Sequence, residues 1–174
     1  MIFAIVGPSG AGKDTLIAGA VARRPDLRLV RRVITRPAEA GGEDFEAVTE
    51  ADFRARLDAG KFALRWQAHG LRYGIPADQV TGPGDVLFNG SRAALPAALA
   101  AFPDLRVVVV TAPPDLLAAR LAARGREDAG DVRARLDRAA FTLPEGIGAA
   151  VVMNDSTVAK GVDRLLAALQ PASA

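Results

Sequence analysis

The sequence predicts an α/β protein in three layers, a mostly parallel sheet flanked by helices. Three observations predict it. Short apolar runs of strand length alternate with longer segments of helical character. The first of these runs, Ile2 to Val6, passes through a glycine-rich turn directly into a helix. Half of the 174 residues are hydrophobic, enough to fill a core on both faces of a sheet.

Each element has a local reason. Ile2 to Val6 is a short apolar run that reads as a buried strand, and Lys13 to Ala22 as a helix ended by Arg23-Arg24-Pro25. Leu29 to Thr35 mixes β-branched and basic residues and predicts one half-exposed strand. Thr49 caps a helix from Glu50 to Ala59, with Asp52 completing a capping-box arrangement. Phe62 to Gln67 predicts a strand, Leu71 to Pro76 a turn or strand end, and Asp85 to Phe88 a buried strand.

A helix follows from about Ala93 to Ala101, then a core strand, Leu105 to Thr111, that contains four consecutive valines. Pro114 opens a helix to about Arg124, proline being tolerated in the first turn. Val132 to Ala140 predicts another helix and Ala150 to Met153 the last strand. Ser156 or Thr157 caps a closing helix that ends before Pro171. Residues 1–174 thus form a single domain with two polar insertions, at about 37–82 and 124–131. Loops on a rigid scaffold carry function, so these insertions suit an acceptor-binding region and a lid.

Composition bounds the function. There is no cysteine, which excludes disulfides and thiolate metal sites and fits a reducing cytoplasm. The opening MIFAIVGPSG lacks the basic start of a secretory leader. No apolar run approaches the roughly 20 residues that cross a bilayer. A net charge of +2 argues against a dedicated nucleic-acid binder. The expectation is a soluble cytoplasmic protein that engages neither membrane nor nucleic acid, with no oligomeric state implied. Lysine stands only at Lys13, Lys61 and Lys160, so the many arginines carry the positive charge. Their planar forks suit phosphate groups.

The strongest motif is Gly7-Pro8-Ser9-Gly10-Ala11-Gly12-Lys13, between the first strand and the first helix. Its G-x-x-x-x-G-K spacing is the P-loop pattern in the strand–loop–helix context the pattern requires. Glycines let the backbone close on a polyphosphate so that successive N–H groups point inward. The helix N-terminus adds a favourable dipole, and Lys13 a mobile cation for the β- and γ-phosphates. A nucleoside triphosphate, ATP, is the expected ligand of residues 7 to 15. Where the pattern usually has Ser or Thr on magnesium, this chain has Asp14. Asp14 either binds Mg2+ itself, holds a coordinated water, or caps the helix; Thr15 then takes a phosphate contact.

The order of the remaining motifs carries a resemblance. Thr35-Arg36-Pro37, Gly42-Glu43-Asp44-Phe45, Tyr73-Gly74, Arg124-Gly125 and Asn154-Asp155 follow the P-loop in the order of the guanylate kinase-like nucleoside monophosphate kinases. The likeness spans nearly the whole chain and implies their fold, a P-loop kinase core with an acceptor-binding insertion and a lid. The departures fall on the base readers. Glu39 replaces a second phosphate-binding arginine, Phe45 a tyrosine, Ile75 a hydroxyl residue and Asn89 an aspartate, and Gln67-Ala68-His69 holds no guanine-reading acid. A site built on hydrogen bonds to a base discriminates by roughly 10⁴–10⁵-fold, so these losses imply an acceptor without guanine.

Val33-Ile34-Thr35-Arg36-Pro37, Trp66-Gln67-Ala68-His69-Gly70-Leu71, Tyr73-Gly74-Ile75, Asn89-Gly90-Ser91-Arg92 and Arg124-Gly125-Arg126-Glu127 resemble more closely the ribose 1,5-bisphosphate phosphokinases of phosphonate catabolism. The Lys-Asp P-loop is typical of that family too. The resemblance implies transfer of the γ-phosphoryl of ATP to the 1-phosphate of ribose 1,5-bisphosphate. The products would be 5-phosphoribosyl 1-diphosphate and ADP. Two other readings stay open, a nucleoside monophosphate kinase of altered base choice and a non-catalytic guanylate kinase-like binding module.

Roles follow for single residues. The nucleophile is an anionic phosphate oxygen, so no general base is needed, and positioning and charge neutralisation remain. Arg120, Arg124, Arg126 and Arg135 match lid arginines that close over the triphosphate, each the alternative of a solvated helix face. Arg36, Tyr73 and Arg92 are candidates for the acceptor's phosphates, Asn89 and Ser91 for its ribose hydroxyls. His69, the only histidine, either bonds the acceptor or forms a turn, and Trp66 packs beneath that site or stacks on its ligand. Asn154 and Asp155 lie beside adenine or form an Asx-type cap.

Overall fold

The computed structural model describes residues 1–40, 43–123 and 142–170. The expected lid at about 124–131, with Arg124 and Arg126, and the helix expected around Arg135 lie outside the described residues. The chain forms two compact units, Met1–Ala4 with Pro25–Arg106, and Ile5–Arg24 with Val107–Ala174. Strand β1 (Ile2–Val6) gives its first residues to one unit and its last to the other. Phe3, Ala4, Ile5 and Val6 are all fully buried, as a strand covered on both faces requires.

In the first unit, β2 (Arg28–Leu29) pairs in parallel with β7 (Val86–Asn89), and β1 is the next neighbour. A second, four-stranded sheet has the order β4-β3-β6-β5. Its strands are β3 (Val33–Ile34), β4 (Glu46–Ala47), β5 (Phe62–Ala68) and β6 (Leu71–Pro76). β3 runs parallel to β4 and antiparallel to β6, and β5 is antiparallel to β6. Two helices belong to the same unit, α2 (Glu50–Asp58) and α3 (Leu95–Ala101). The ring of Phe53 on α2 stacks on Phe62 of β5, centroids 4.6 Å apart.

The second unit holds the end of β1, then α1 (Lys13–Arg23), β8 (Arg106–Thr111), α4 (Pro114–Ala123), β9 (Ala149–Met153) and α5 (Val158–Ala168). β8 and β9 run parallel, in register from Val107 opposite Ala149 to Thr111 opposite Met153. All four valines of β8 are buried. Thr157 caps α5, its Oγ1 accepting the Lys160 N–H at 3.3 Å, and α1 packs along α5. The fold class is the expected one, α/β with a mostly parallel sheet. Among the described residues no helix is long and apolar enough to cross a membrane.

The single strand expected over Leu29 to Thr35 is instead two. Val30 still donates to Leu87 O (2.9 Å) beside β7, but Thr35 donates to Arg72 O (3.1 Å) beside β6. Leu29 is exposed, whereas Arg32, Val33 and Ile34 are buried in succession, a change of pattern that marks the transfer between sheets. Leu71 to Pro76, expected as a turn or strand end, is a full strand. His69 and Gly70 form the two-residue turn before it, with φ of 53° and 73°. Positive φ at both central residues matches the twist of a hairpin.

Helix α2 begins where Thr49 is expected to cap it. Thr49 Oγ1 accepts the Asp52 N–H at 3.1 Å and donates to the Asp52 carboxylate at 2.8 Å. Thr49→Ala is expected to cost about 1 kcal/mol, read as a lower urea midpoint at unchanged slope.

Candidate active site

The P-loop sits between the last residues of β1 and the first turn of α1, all in the second unit. Two of its glycines are dictated by contact. A Cβ on Gly7 would collide with the carbonyl of Val110 on the neighbouring strand β8. Gly12 has φ of 87°, and a Cβ there would stand 2.5 Å from Asn154 Nδ2. Lys13 turns back over the loop, its Nζ donating to Gly7 O (2.9 Å) and Pro8 O (3.2 Å). The ammonium therefore stands on the loop's own concavity. Asp14 and Thr15 occupy the exposed first turn of α1, and Ser9 is exposed at the loop's crest.

Arg120 and Asn154 converge on the same loop. Arg120, in the last turn of α4, donates from Nη1 to Gly10 O (3.4 Å) and from Nη2 to Asn154 O (3.1 Å). Asn154 is 6 % exposed; its Nδ2 donates to Ala11 O at 2.8 Å and its backbone N–H to Thr111 O at 2.7 Å. Asp155 is exposed and pairs with Arg164 at 2.6 Å. That hydrogen bond holds its carboxyl below the ordinary value.

The acceptor candidates all lie in the first unit. Tyr73 stacks on Trp66 directly across the β5–β6 ladder, centroids 5.2 Å apart and rings inclined by 6°. The Arg32 guanidinium lies 5.3 Å from the Tyr73 ring and 5.8 Å from that of Trp66. Burial pushes the Tyr73 hydroxyl's pKa up, against the opposing pull of Arg32 and Arg36, so the group stays a phenol able to donate. Arg36 sits over the ring of Phe45, 4.5 Å from its centroid. Phe45 thus offers a cation an aromatic face. Asn89 ends β7, and Ser91 and Arg92 enter the 3₁₀ turn Arg92–Ala94, which packs on β5. His69 is exposed at the tip of the β5–β6 hairpin.

Sequence reading did not single out Arg32. Only 6 % of it is exposed, and it forms a bidentate ion pair with Glu43, Nε to Oε2 at 3.0 Å and Nη2 to Oε1. Trp66 Nε1, also buried, has no hydrogen-bond partner among the described residues. On the neighbouring ladder Leu64 and Trp66 of β5 face Ile75 and Tyr73 of β6, and all but Tyr73 are buried, an environment that the local sequence around Arg32 does not announce.

A P-loop with its lysine, set at the carboxyl end of β1 in a mostly parallel sheet, defines a nucleotide-binding P-loop kinase of guanylate kinase-like fold. The structure is similar to the guanylate kinase of Anaplasma phagocytophilum, with a TM-score of 0.67, 17% identity and coverage of 96% of this chain and 82% of that one. No family model matches the chain. Curated relatives decide the family. The sequence is 56% identical over 149 residues to the ribose 1,5-bisphosphate phosphokinase PhnN of Ruegeria sp. strain TM1040, covering 84% of this chain and 78% of that protein. It is 46% identical over 172 residues to that of Agrobacterium fabrum, covering 95% and 94%. The chain belongs to the ribose 1,5-bisphosphate phosphokinase family.

This geometry makes three substitutions informative. Gly12→Ala is expected to weaken ATP binding about tenfold or more, measured by calorimetry, because the added methyl displaces Asn154 from Ala11. Glu43→Ala strands a buried guanidinium and is expected to cost roughly 3 kcal/mol in urea denaturation. Asp44→Ala, at the exposed Arg31–Asp44 pair (53% and 77% exposed), is expected to cost under about 1 kcal/mol.

Proposed function

We propose that this chain transfers the γ-phosphoryl group of ATP to the 1-phosphate of ribose 1,5-bisphosphate, giving 5-phosphoribosyl 1-diphosphate and ADP. The observation that carries the reading is a P-loop with its glycines and lysine in place, in a chain of this family. Residues 7 to 15 hold the ATP phosphates, with Lys13 on the β- and γ-phosphates. The cytoplasm, where ATP is abundant, is the compartment this reaction requires.

Among the described residues no group of three or more His, Asp or Glu side chains is placed to hold a metal. Magnesium suits such a site, since it keeps several waters and takes one or two carboxylates plus the substrate's phosphates. Asp14, in the turn after Lys13, is the carboxylate that would hold it. The bound ion would neutralise charge on the β- and γ-phosphates.

An oxygen of the 1-phosphate attacks Pγ; the bond from Pγ to the β–γ bridging oxygen breaks, and ADP leaves with the electron pair. The second ionisation of a phosphate ester lies near pH 6, so the attacking oxygen is already anionic and no side chain has to remove a proton. Rate therefore comes from alignment and from cations around the transferring group. Arg36 and Arg92 take the acceptor's phosphates and Tyr73 donates its phenol to one of them. Asn89, Ser91 and His69 bond the ribose or its phosphates. Arg124, Arg126 and Arg135 are the cations assigned to the triphosphate by family resemblance, and Asp155 the group assigned to the adenine side.

The test is ADP release with ATP and magnesium, comparing ribose 1,5-bisphosphate, GMP, AMP and no acceptor. Turnover is expected with the ribose bisphosphate alone, and Lys13→Ala is expected to abolish it. Turnover with a nucleotide only would replace the acceptor and leave the phosphoryl-transfer chemistry standing.

A further inference from the structure

We infer that Arg120 and Asn154 are positioning residues that hold the P-loop backbone in its phosphate-binding orientation, acting through the carbonyls of Gly10 and Ala11 rather than by touching the nucleotide. The inference rests on the reading of this loop as the polyphosphate site, and on no choice of acceptor.

The argument begins with the peptide group. In a planar trans peptide the C=O of one residue and the N–H of the next point in opposite directions. Fixing the Gly10 carbonyl therefore fixes the Ala11 N–H on the opposite side, and fixing the Ala11 carbonyl does the same for the Gly12 N–H. Arg120 Nη1 takes the first carbonyl (3.4 Å) and Asn154 Nδ2 the second (2.8 Å). The Ala11 N–H duly points into the loop, where it donates to Pro8 O at 3.3 Å. Pro8 O is also the acceptor of Lys13 Nζ, at 3.2 Å. Inward amides and the lysine thus share one concavity. A phosphate oxygen entering there takes over the long Ala11 bond.

The two holders are themselves held. Arg120 Nη2 donates to Asn154 O, and Asn154's own N–H donates to Thr111 O at the end of β8. Behind Asn154 stands Gly161 of α5, where a Cβ would lie 2.9 Å from Asn154 Oδ1. Asn154 is therefore seated against the sheet, the loop and α5 at once, with its amide committed to Ala11. The Arg120 guanidinium, divided between Gly10 O and Asn154 O, ties the loop to its second holder.

The test uses Arg120→Lys, Arg120→Met, Asn154→Asp and the double variant Arg120→Met/Asn154→Asp in the full chain. Circular dichroism and thermal melting establish that each folds. Calorimetry then gives Kd for ATP, ADP and inorganic tripolyphosphate, which carries no base. Backbone positioning predicts that Arg120→Met and Asn154→Asp each weaken all three ligands by a similar factor, about tenfold. Arg120→Lys, which can still reach one carbonyl, is expected to recover part of the loss. The double variant should lose less than the product of the two single losses, because the residues share one bracket.

A loss of ATP affinity with tripolyphosphate unchanged would assign these side chains to adenine and overturn the inference. A loss for ATP with ADP unchanged would place Arg120 on the γ-phosphate and overturn it too. So would folded variants that bind all three ligands as the parent chain does. A parent chain that binds neither ATP nor tripolyphosphate would remove the nucleotide reading itself, and this inference with it.

Discussion

The hydrogen bond from Asn154 Nδ2 to the carbonyl of Ala11, at 2.8 Å, is the point on which the second unit turns. An anion site made of backbone amides has no side chain to aim; its direction is set by where the carbonyls go. Parallel strands β8 and β9 bring Asn154 to the carboxyl end of the sheet, and its backbone bond to Thr111 fixes its height. From there the amide reaches a loop more than a hundred residues away in sequence. Open α/β sheets bind ligands at the carboxyl ends of their strands. Here that tendency has a mechanism at the level of one side chain.

In the first unit the organising element is a cation kept out of water. Arg32 lies beside two stacked rings and is neutralised by Glu43. A buried pair of this kind contributes little net stability, since desolvation offsets most of the attraction, but losing one partner leaves a charge with nowhere to go. Its effect is on arrangement. The chain between β3 and β4 is tied back at Glu43, and the Tyr73 ring sits against a fixed guanidinium. Arg36 and Phe45 repeat the motif of a cation on a ring.

The P-loop was legible in the sequence because its chemistry is local: glycines, lysine, strand and helix occur within a dozen residues. The Thr49 cap and the four-valine strand β8 were legible for the same reason. What lay beyond sequence is non-local. Nothing in Val30-Arg31-Arg32-Val33 distinguishes Arg31, which pairs at the surface with Asp44, from Arg32, which is buried against Glu43. The difference is decided by the partner strand. The same holds for the division of Leu29 to Thr35 between two sheets, since β-branched residues favour a strand without saying which neighbour completes it. The His69-Gly70 turn was one of two readings of that histidine; a non-glycine residue at φ of 53° is a conformation its residue type does not announce.

The contact between Gly12, Asn154 and Gly161 also constrains how such a sequence can change over generations. A side chain at residue 12 or at residue 161 would press on opposite atoms of one amide, Nδ2 at 2.5 Å and Oδ1 at 2.9 Å. A larger residue at position 154 would press on both glycines in return. No side chain at either glycine, and no larger residue at position 154, fits without a matching reduction elsewhere, so this corner of the fold can grow only by coordinated exchanges. Enlargement is closed to it one residue at a time, while exposed helix faces carry no such constraint.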